Sequence, residues 1–217
     1  MNTASRALDS RQVNLLGQAA EWRLVSLLFE CPTKNWKEQV AAISSEITDQ
    51  ELQIAAAGAQ SEGAATLYHS IFGPGGPAPA REVSYCESVQ LGYLISELEA
   101  FYQAFSFDPA TPEVIDHVSV EASFMGYLKL KESYALACSD LEHASVTAEA
   151  AQRFLEDHLS VIAHPLTASL QALGVRYLAL AGEGLLRRVG APRKGSPQQK
   201  SDLLPILDES LFDCGSQ

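Results

Sequence analysis

Apolar residues recur at three- and four-residue intervals along almost the whole chain, and a sustained two-residue alternation appears nowhere. That periodicity builds helices and excludes a half-buried sheet. Between 11 and 29 the apolar positions are Leu15, Leu16, Ala19, Trp22, Val25, Leu28 and Phe29. Pro32 ends the run, because the residue before a proline avoids the α region. Thr33 is the expected cap of a second helix to about Ile47. Thr48 or Asp49 caps a third, which reaches Gly58 and continues through Leu67, Tyr68, Ile71 and Phe72. A long helix is expected over 83–105, apolar around more than half its circumference and therefore central and buried. The next ends near Cys138, with Thr111 or Asp116 as its cap. Thr147 opens a helix that Pro165 kinks or divides, and Gly174 precedes a last one over 175–189. The expected fold class is all-α, a single helical domain of about eight to ten helices. It occupies 1–190, with 191–217 forming a flexible linker and an acidic-apolar tail.

Two stretches break the pattern. Gly73-Pro74-Gly75-Gly76-Pro77-Ala78-Pro79 cannot be regular structure, since its residues either lack an N–H or free φ. Tyr68, Ile71 and Phe72 before it, with Val83 and Tyr85 after it, favour an ordered loop over a linker. The second stretch runs from Glu113 to Met125 and crowds Glu113, Asp116, His117 and Glu121 at the start of a helical segment. At about 100° per residue His117 projects near Phe124 and Leu128, in the apolar stripe, with Glu121 beside it and Asp116 at the edge. Two readings stay open. A neutral histidine held by a carboxylate can pin a helix start, or the group can bind a ligand or move a proton.

Composition narrows the partners. Asp and Glu number 27 against 15 Lys and Arg, a net charge of −12. Nucleic acid needs a concentrated basic surface, so it is not an expected partner. An acidic surface suits a basic one, such as an arginine-bearing peptide. Cys31, Cys86, Cys138 and Cys214 are widely spaced, form no CxxC pair and are expected as buried free thiols without a metal. The polar N-terminus has no apolar signal core, and no run approaches the roughly 20 residues of a membrane span. A cytoplasmic protein is expected. No nucleophile elbow, phosphate loop, zinc-protease helix or dinucleotide fingerprint is present, so catalysis is not expected.

Several separated segments resemble, in order, the TorD/DmsD/NarJ family of chaperones for molybdenum-containing redox enzymes. Arg23-Leu24-Val25-Ser26-Leu27-Leu28-Phe29-Glu30-Cys31-Pro32 is similar to the family's opening helix. Tyr68-His69-Ser70-Ile71-Phe72-Gly73-Pro74-Gly75, followed by Pro79, Glu82, Ser84 and Tyr85, is similar to its loop and long helix. Asp116-His117 with Glu121, Phe124, Met125 and Leu128 matches its most distinctive motif, and Phe154-Leu155-Glu156-Asp157-His158-Leu159 resembles its late helix. Ile115 stands where a proline usually precedes the Asp-His pair, and Ile162 where tryptophan is frequent.

The resemblance implies a cytoplasmic assembly chaperone, without catalytic turnover and without a cofactor of its own. Its partner is the apo catalytic subunit of a molybdoenzyme, held through an N-terminal segment, often a twin-arginine leader, until cofactor insertion. It implies Asp116 and His117 as the peptide-binding pair, with Tyr85, Phe72 and Pro79 as neighbours and Glu121 in support. Asp116 attracts a basic group, and His117 orients it or lines the groove. The chain is expected as a monomer or a helix-swapped dimer. The alternatives are a permanent structural subunit of a redox complex, or a hydrolase that uses His117 with Glu113 or Asp116.

Overall fold

The computed structural model describes residues 9–86 and 89–190. Among them are nine α-helices: α1 (Ser10–Leu28), α2 (Trp36–Ser44), α3 (Gln50–Glu62), α4 (Ala65–Phe72), α5 (Leu91–Ala104), α6 (Val118–Ala137), α7 (Leu141–Phe154), α8 (Ser160–Ala172) and α9 (Arg176–Val189). A 3₁₀ turn (Glu82–Tyr85) precedes α5, and a π turn (Leu155–Leu159) joins α7 to α8. No strand occurs among the described residues; one isolated antiparallel bridge joins Arg81 to His117. The all-α expectation holds. Gly190 is the last described residue, so the expected linker beyond it, the tail over 203–212 and Cys214 lie outside the described part.

The central helix is α6, not the helix expected over 83–105. From Val118 to Leu128 α6 is buried on nearly every side, whereas α5 buries only Leu94, Leu98 and Tyr102 and exposes Leu91 and Tyr93. α5 also starts later than expected, at Leu91, because 82–85 close into the 3₁₀ turn. Apolar residues around a helix do not by themselves say which of them the neighbours cover. α1 and α6 form the most extensive helix pair. They run antiparallel: Arg11 reaches Glu132 at 3.0 Å, while a Cβ at Gly126 would lie 3.2 Å from the Ala19 carbonyl oxygen. Gly126 thus lets the two backbones approach closely. α3 packs on α9 and α8 on α9, and the Thr167 hydroxyl donates to the Gly182 carbonyl at 3.0 Å.

Several ends differ from expectation for local reasons. Asp49 caps α3, accepting from Glu51 and Leu52, both at 3.1 Å. Asn35, rather than Thr33, precedes α2. Asp140 caps α7 seven residues before Thr147, whose hydroxyl bonds back to the His143 carbonyl at 2.7 Å. Pro165 sits inside α8 without ending it, and the irregularity falls earlier, in the π turn. Ser106 and Ser139, with φ of 54° and 60°, close α5 and α6 in the left-handed conformation that glycine usually takes.

The 73–79 loop is ordered, as its aromatic flanks suggested. Gly75 takes φ of 79°, and a Cβ at Gly76 would meet the Ile71 carbonyl oxygen at 2.2 Å. This tight turn returns the chain so that Ala78 and Ala80 are buried. In the core Tyr102, Phe107, Phe124 and Phe154 form an aromatic knot, with the Phe124 ring centroid 4.9 Å from Tyr102, 5.1 Å from Phe107 and 4.8 Å from Phe154. Phe124→Ala removes the shared member of these contacts and should cost about 3–5 kcal/mol, read as a lowered urea midpoint.

Candidate functional site

The site forms where the returning loop meets the start of α6. Backbone pairing holds them: Glu82 N–H donates to the Asp116 carbonyl and Val118 N–H to the Ala80 carbonyl, each at 2.8 Å. This places the Arg81 guanidinium on the Asp116 carboxylate. Nε lies 2.9 and 3.1 Å from the two carboxylate oxygens, and Nη2 lies 2.9 Å from Oδ1. The Asp116 side chain is fully buried while that of Arg81 is 40% exposed, so Arg81 screens Asp116 from solvent.

His117, not Thr111 or Asp116, caps α6. Its backbone is extended, and Nδ1 accepts from the Ser119 N–H at 3.2 Å and lies 2.7 Å from the Ser119 hydroxyl. With Nδ1 accepting, Nε2 carries the proton and donates to the Tyr68 hydroxyl at 3.1 Å; that hydroxyl donates in turn to Glu113 Oε1 at 2.8 Å. Ser119, His117, Tyr68 and Glu113 therefore form one directional chain. Burial lowers the His117 pKa, overriding the opposing pull of Glu113, Asp116 and Glu30, and Arg81 acts with burial. The ring is neutral at pH 7. The Tyr68 pKa is raised, first by burial and then by its bond to Glu113. Ser119 makes a serine–histidine contact, but both side chains are buried and the hydroxyl is not presented to a substrate.

Deeper in, Glu121 is completely buried and neither carboxylate oxygen has a hydrogen-bond partner. Burial, reinforced by the nearby carboxylates of Glu82 and Asp116, raises its pKa well above the ordinary range. Its environment favours the protonated acid over the carboxylate. Glu82, also buried, pairs with His158 Nδ1 at 3.1 Å, and His158 Nε2 has no partner. His158 belongs to the π turn and stacks edge-on with Phe101 at 5.5 Å.

The remaining expected residues line the same seam. Phe72 is half-buried, its ring 5.2 Å from Tyr68 and 6.2 Å from Phe29. The Tyr85 hydroxyl donates to the Pro79 carbonyl at 2.8 Å and bridges the loop; burial pushes its pKa up to about 12. The fold thus gathers Phe72, Pro79, Tyr85, Asp116, His117 and Glu121 around one backbone pairing, with Glu121 beneath the surface. Sequence reasoning passed over Arg81 and gave no site role to Tyr68 or His158. Arg81 carried no local signal: its partner lies 35 residues away. Cys31, Cys86 and Cys138 are free thiols, but not buried as expected: Cys31 and Cys86 are half-buried and Cys138 is exposed; partial burial raises Cys31 and pushes Cys86 up to about 11.

Residues 33–168 match the family described as Nitrate reductase delta subunit. The chain belongs to that family. The match bears out the TorD/DmsD/NarJ resemblance and contains the whole seam, from Phe72 to His158. The family is one of maturation chaperones for molybdoenzymes of the nitrate reductase type, not of catalytic subunits. No curated protein matches the chain. Among the described residues, no helix is long and apolar enough to cross a membrane, and no group of three His, Cys, Asp or Glu side chains could hold a metal ion.

Two outcomes follow from the seam. Arg81→Ala leaves the buried Asp116 carboxylate without its counter-ion and should destabilise the fold by about 2–3 kcal/mol, moderated by the half-exposed guanidinium. Arg81→Lys should recover only part of this in urea unfolding, because an ammonium lacks the two-pronged fork. Glu121 sets a pH dependence. With a raised folded pKa, its stabilising contribution is complete below the unfolded value of 4.5 and is lost as pH rises through the folded value. His117 acts in the other direction: its lowered pKa makes its contribution complete above 6.5 and lost as pH falls. Glu121→Gln should therefore flatten the decline of the urea midpoint as pH rises above 4.5. Parallel profiles for the two proteins would show that Glu121 titrates alike in both states.

Proposed function

We propose that the protein is a cytoplasmic assembly chaperone that binds the apo catalytic subunit of its molybdoenzyme and releases it after cofactor insertion. The bound element is the subunit's N-terminal segment, in the manner of a twin-arginine leader, and the seam around Asp116 and His117 receives it. Residues 1–190 act as the chaperone domain, with 191–217 as an appended linker and tail. The observation that carries this reading is the family match, which contains every residue of the seam. The net charge of −12 supports a basic partner. Half-buried Phe72 and the Tyr85–Pro79 bridge supply an apolar wall beside the polar groups, the mixture that leader-like peptides require.

A second reading has one observation in its favour. The family description names a subunit, and a permanent structural subunit would remain on the finished enzyme. Isolation of the protein with its client from cells grown with and without molybdenum separates the two. A chaperone should enrich on the cofactor-free catalytic subunit and be absent from the loaded enzyme, whereas a structural subunit should stay on both in equal amounts.

The seam itself is tested by Asp116→Asn combined with His117→Gln, which keeps a side-chain acceptor at the cap. Affinity for the client's N-terminal segment should fall at least about tenfold, because the change loosens the Arg81 loop and the α6 cap that shape the surface, with the helical circular dichroism signal retained. Unchanged affinity in that double variant would remove the seam from the binding surface.

A further inference from the structure

The carboxylates around the seam are not equivalent, and their partners decide which of them is open to a client. Asp116 is fully buried and its oxygens are taken by Arg81. Glu82 is buried against His158. Glu121 is fully buried and closed to solvent, and burial favours its protonated form. Glu30, at the end of α1, is held by Arg23 at 2.7 Å and by the Ser26 hydroxyl at 3.1 Å. Among these five only Asp116 and Glu30 pair with an arginine, and of the other three only Glu113 reaches solvent. Its Oε1 accepts from Tyr68, and its Oε2 lies 3.9 Å from Nε2 of His117, a ring that burial keeps neutral. Its side chain is 18% exposed, so it reaches solvent where Asp116 does not.

The surroundings of Glu113 suit a planar cation. Tyr68 bonds to it, Phe72 packs on Tyr68 with centroids 5.2 Å apart, and exposed His69 stands edge-on to Tyr68 at 5.4 Å. Aromatic rings beside a carboxylate favour guanidinium over ammonium, because guanidinium stacks on a ring while its edge N–H groups reach the acid. The directional chain from Ser119 through His117 to Tyr68 points the Tyr68 proton at Oε1, which holds the carboxylate in place and leaves Oε2 for an incoming donor.

We infer that Glu113, walled by Tyr68 and Phe72, takes an arginine side chain of the client segment, while Asp116 is a positioning residue that acts by holding Arg81 and the returning loop. This rests on the reading of the seam as a client-binding surface. It moves the contact with the basic group three residues upstream of the Asp-His pair, and it makes the preference one for arginine over lysine.

The test uses the full chain and three fluorescent peptides: one with two consecutive arginines before an apolar stretch, and two in which both arginines become citrulline or lysine. Wild type should bind the arginine peptide about tenfold or more tightly than the citrulline peptide, the scale of a charge-assisted contact, with the lysine peptide between them. In Glu113→Gln that preference should vanish, with affinity for the citrulline peptide unchanged. In Asp116→Asn both peptides should weaken alike. An arginine preference that survives Glu113→Gln, or one that disappears in Asp116→Asn while Glu113→Gln retains it, overturns the assignment.

A second measurement separates the subsite from the client reading. Arginine amide, titrated into the protein, should shift the ring resonances of Tyr68 and His117 in wild type and not in Glu113→Gln. If the peptides fail to bind while arginine amide gives those shifts, the subsite stands and the leader reading falls. If arginine amide gives no shift in wild type, the subsite falls.

Discussion

The short backbone pairing of 80–82 with 116–118 is the contact on which the rest of the seam depends. It amounts to two hydrogen bonds of 2.8 Å, too few to make a sheet. Yet it brings Arg81 onto Asp116, aims the His117 ring back at its own helix and lowers Glu82 into the interior beside His158. The tight 73–79 turn makes this possible by returning the chain within a few residues of Phe72. Without that return, Asp116 would be a buried carboxylate with no counter-ion, a cost that a fold rarely sustains.

Three carboxylates lie in the interior there, and each is accommodated differently. Asp116 is matched by a guanidinium in two-pronged geometry, Glu82 by an imidazole, and Glu121 by a pKa raised well above the ordinary carboxylate range. The differences follow from reach. Arg81 bridges from the loop to the edge of the seam but leaves Glu121 beyond it, and Glu121, deeper in α6, meets no donor. Burial first, and then repulsion from the carboxylates of Glu82 and Asp116, makes ionisation of Glu121 unfavourable. The interior polar groups tie the loop, α6 and the π turn to one another, so a change in any one is felt by the others.

Much of this was legible in the sequence. The helical spacing, the ordered loop between Phe72 and Tyr85, Gly174 as a separator and the prominence of Asp116-His117 all rest on local patterns, and all were found. The six expected residues lie on or beside the segments that the pairing of 80–82 with 116–118 joins. The start of α6 was not legible, because a histidine that caps a helix with its own ring looks, in a helical projection, like a residue inside the stripe. Arg81 was missed because its meaning lies wholly in Asp116. The choice of α6 over α5 as the central helix was missed because both are apolar around much of their surface.

By itself, then, the sequence determined the elements: which stretches are helical, where the chain must turn, that the fold is all-α, and which ionisable residues stand out near Asp116. These depend on periodicity and on backbone restrictions that act over a few residues. Only the tertiary structure decided what those ionisable groups are. Charge state and accessibility depend on burial and on partners contributed by distant segments. That is why Asp116, the most conspicuous acid in the sequence, is closed off by Arg81, while Glu113, three residues before it, keeps a carboxylate open to solvent.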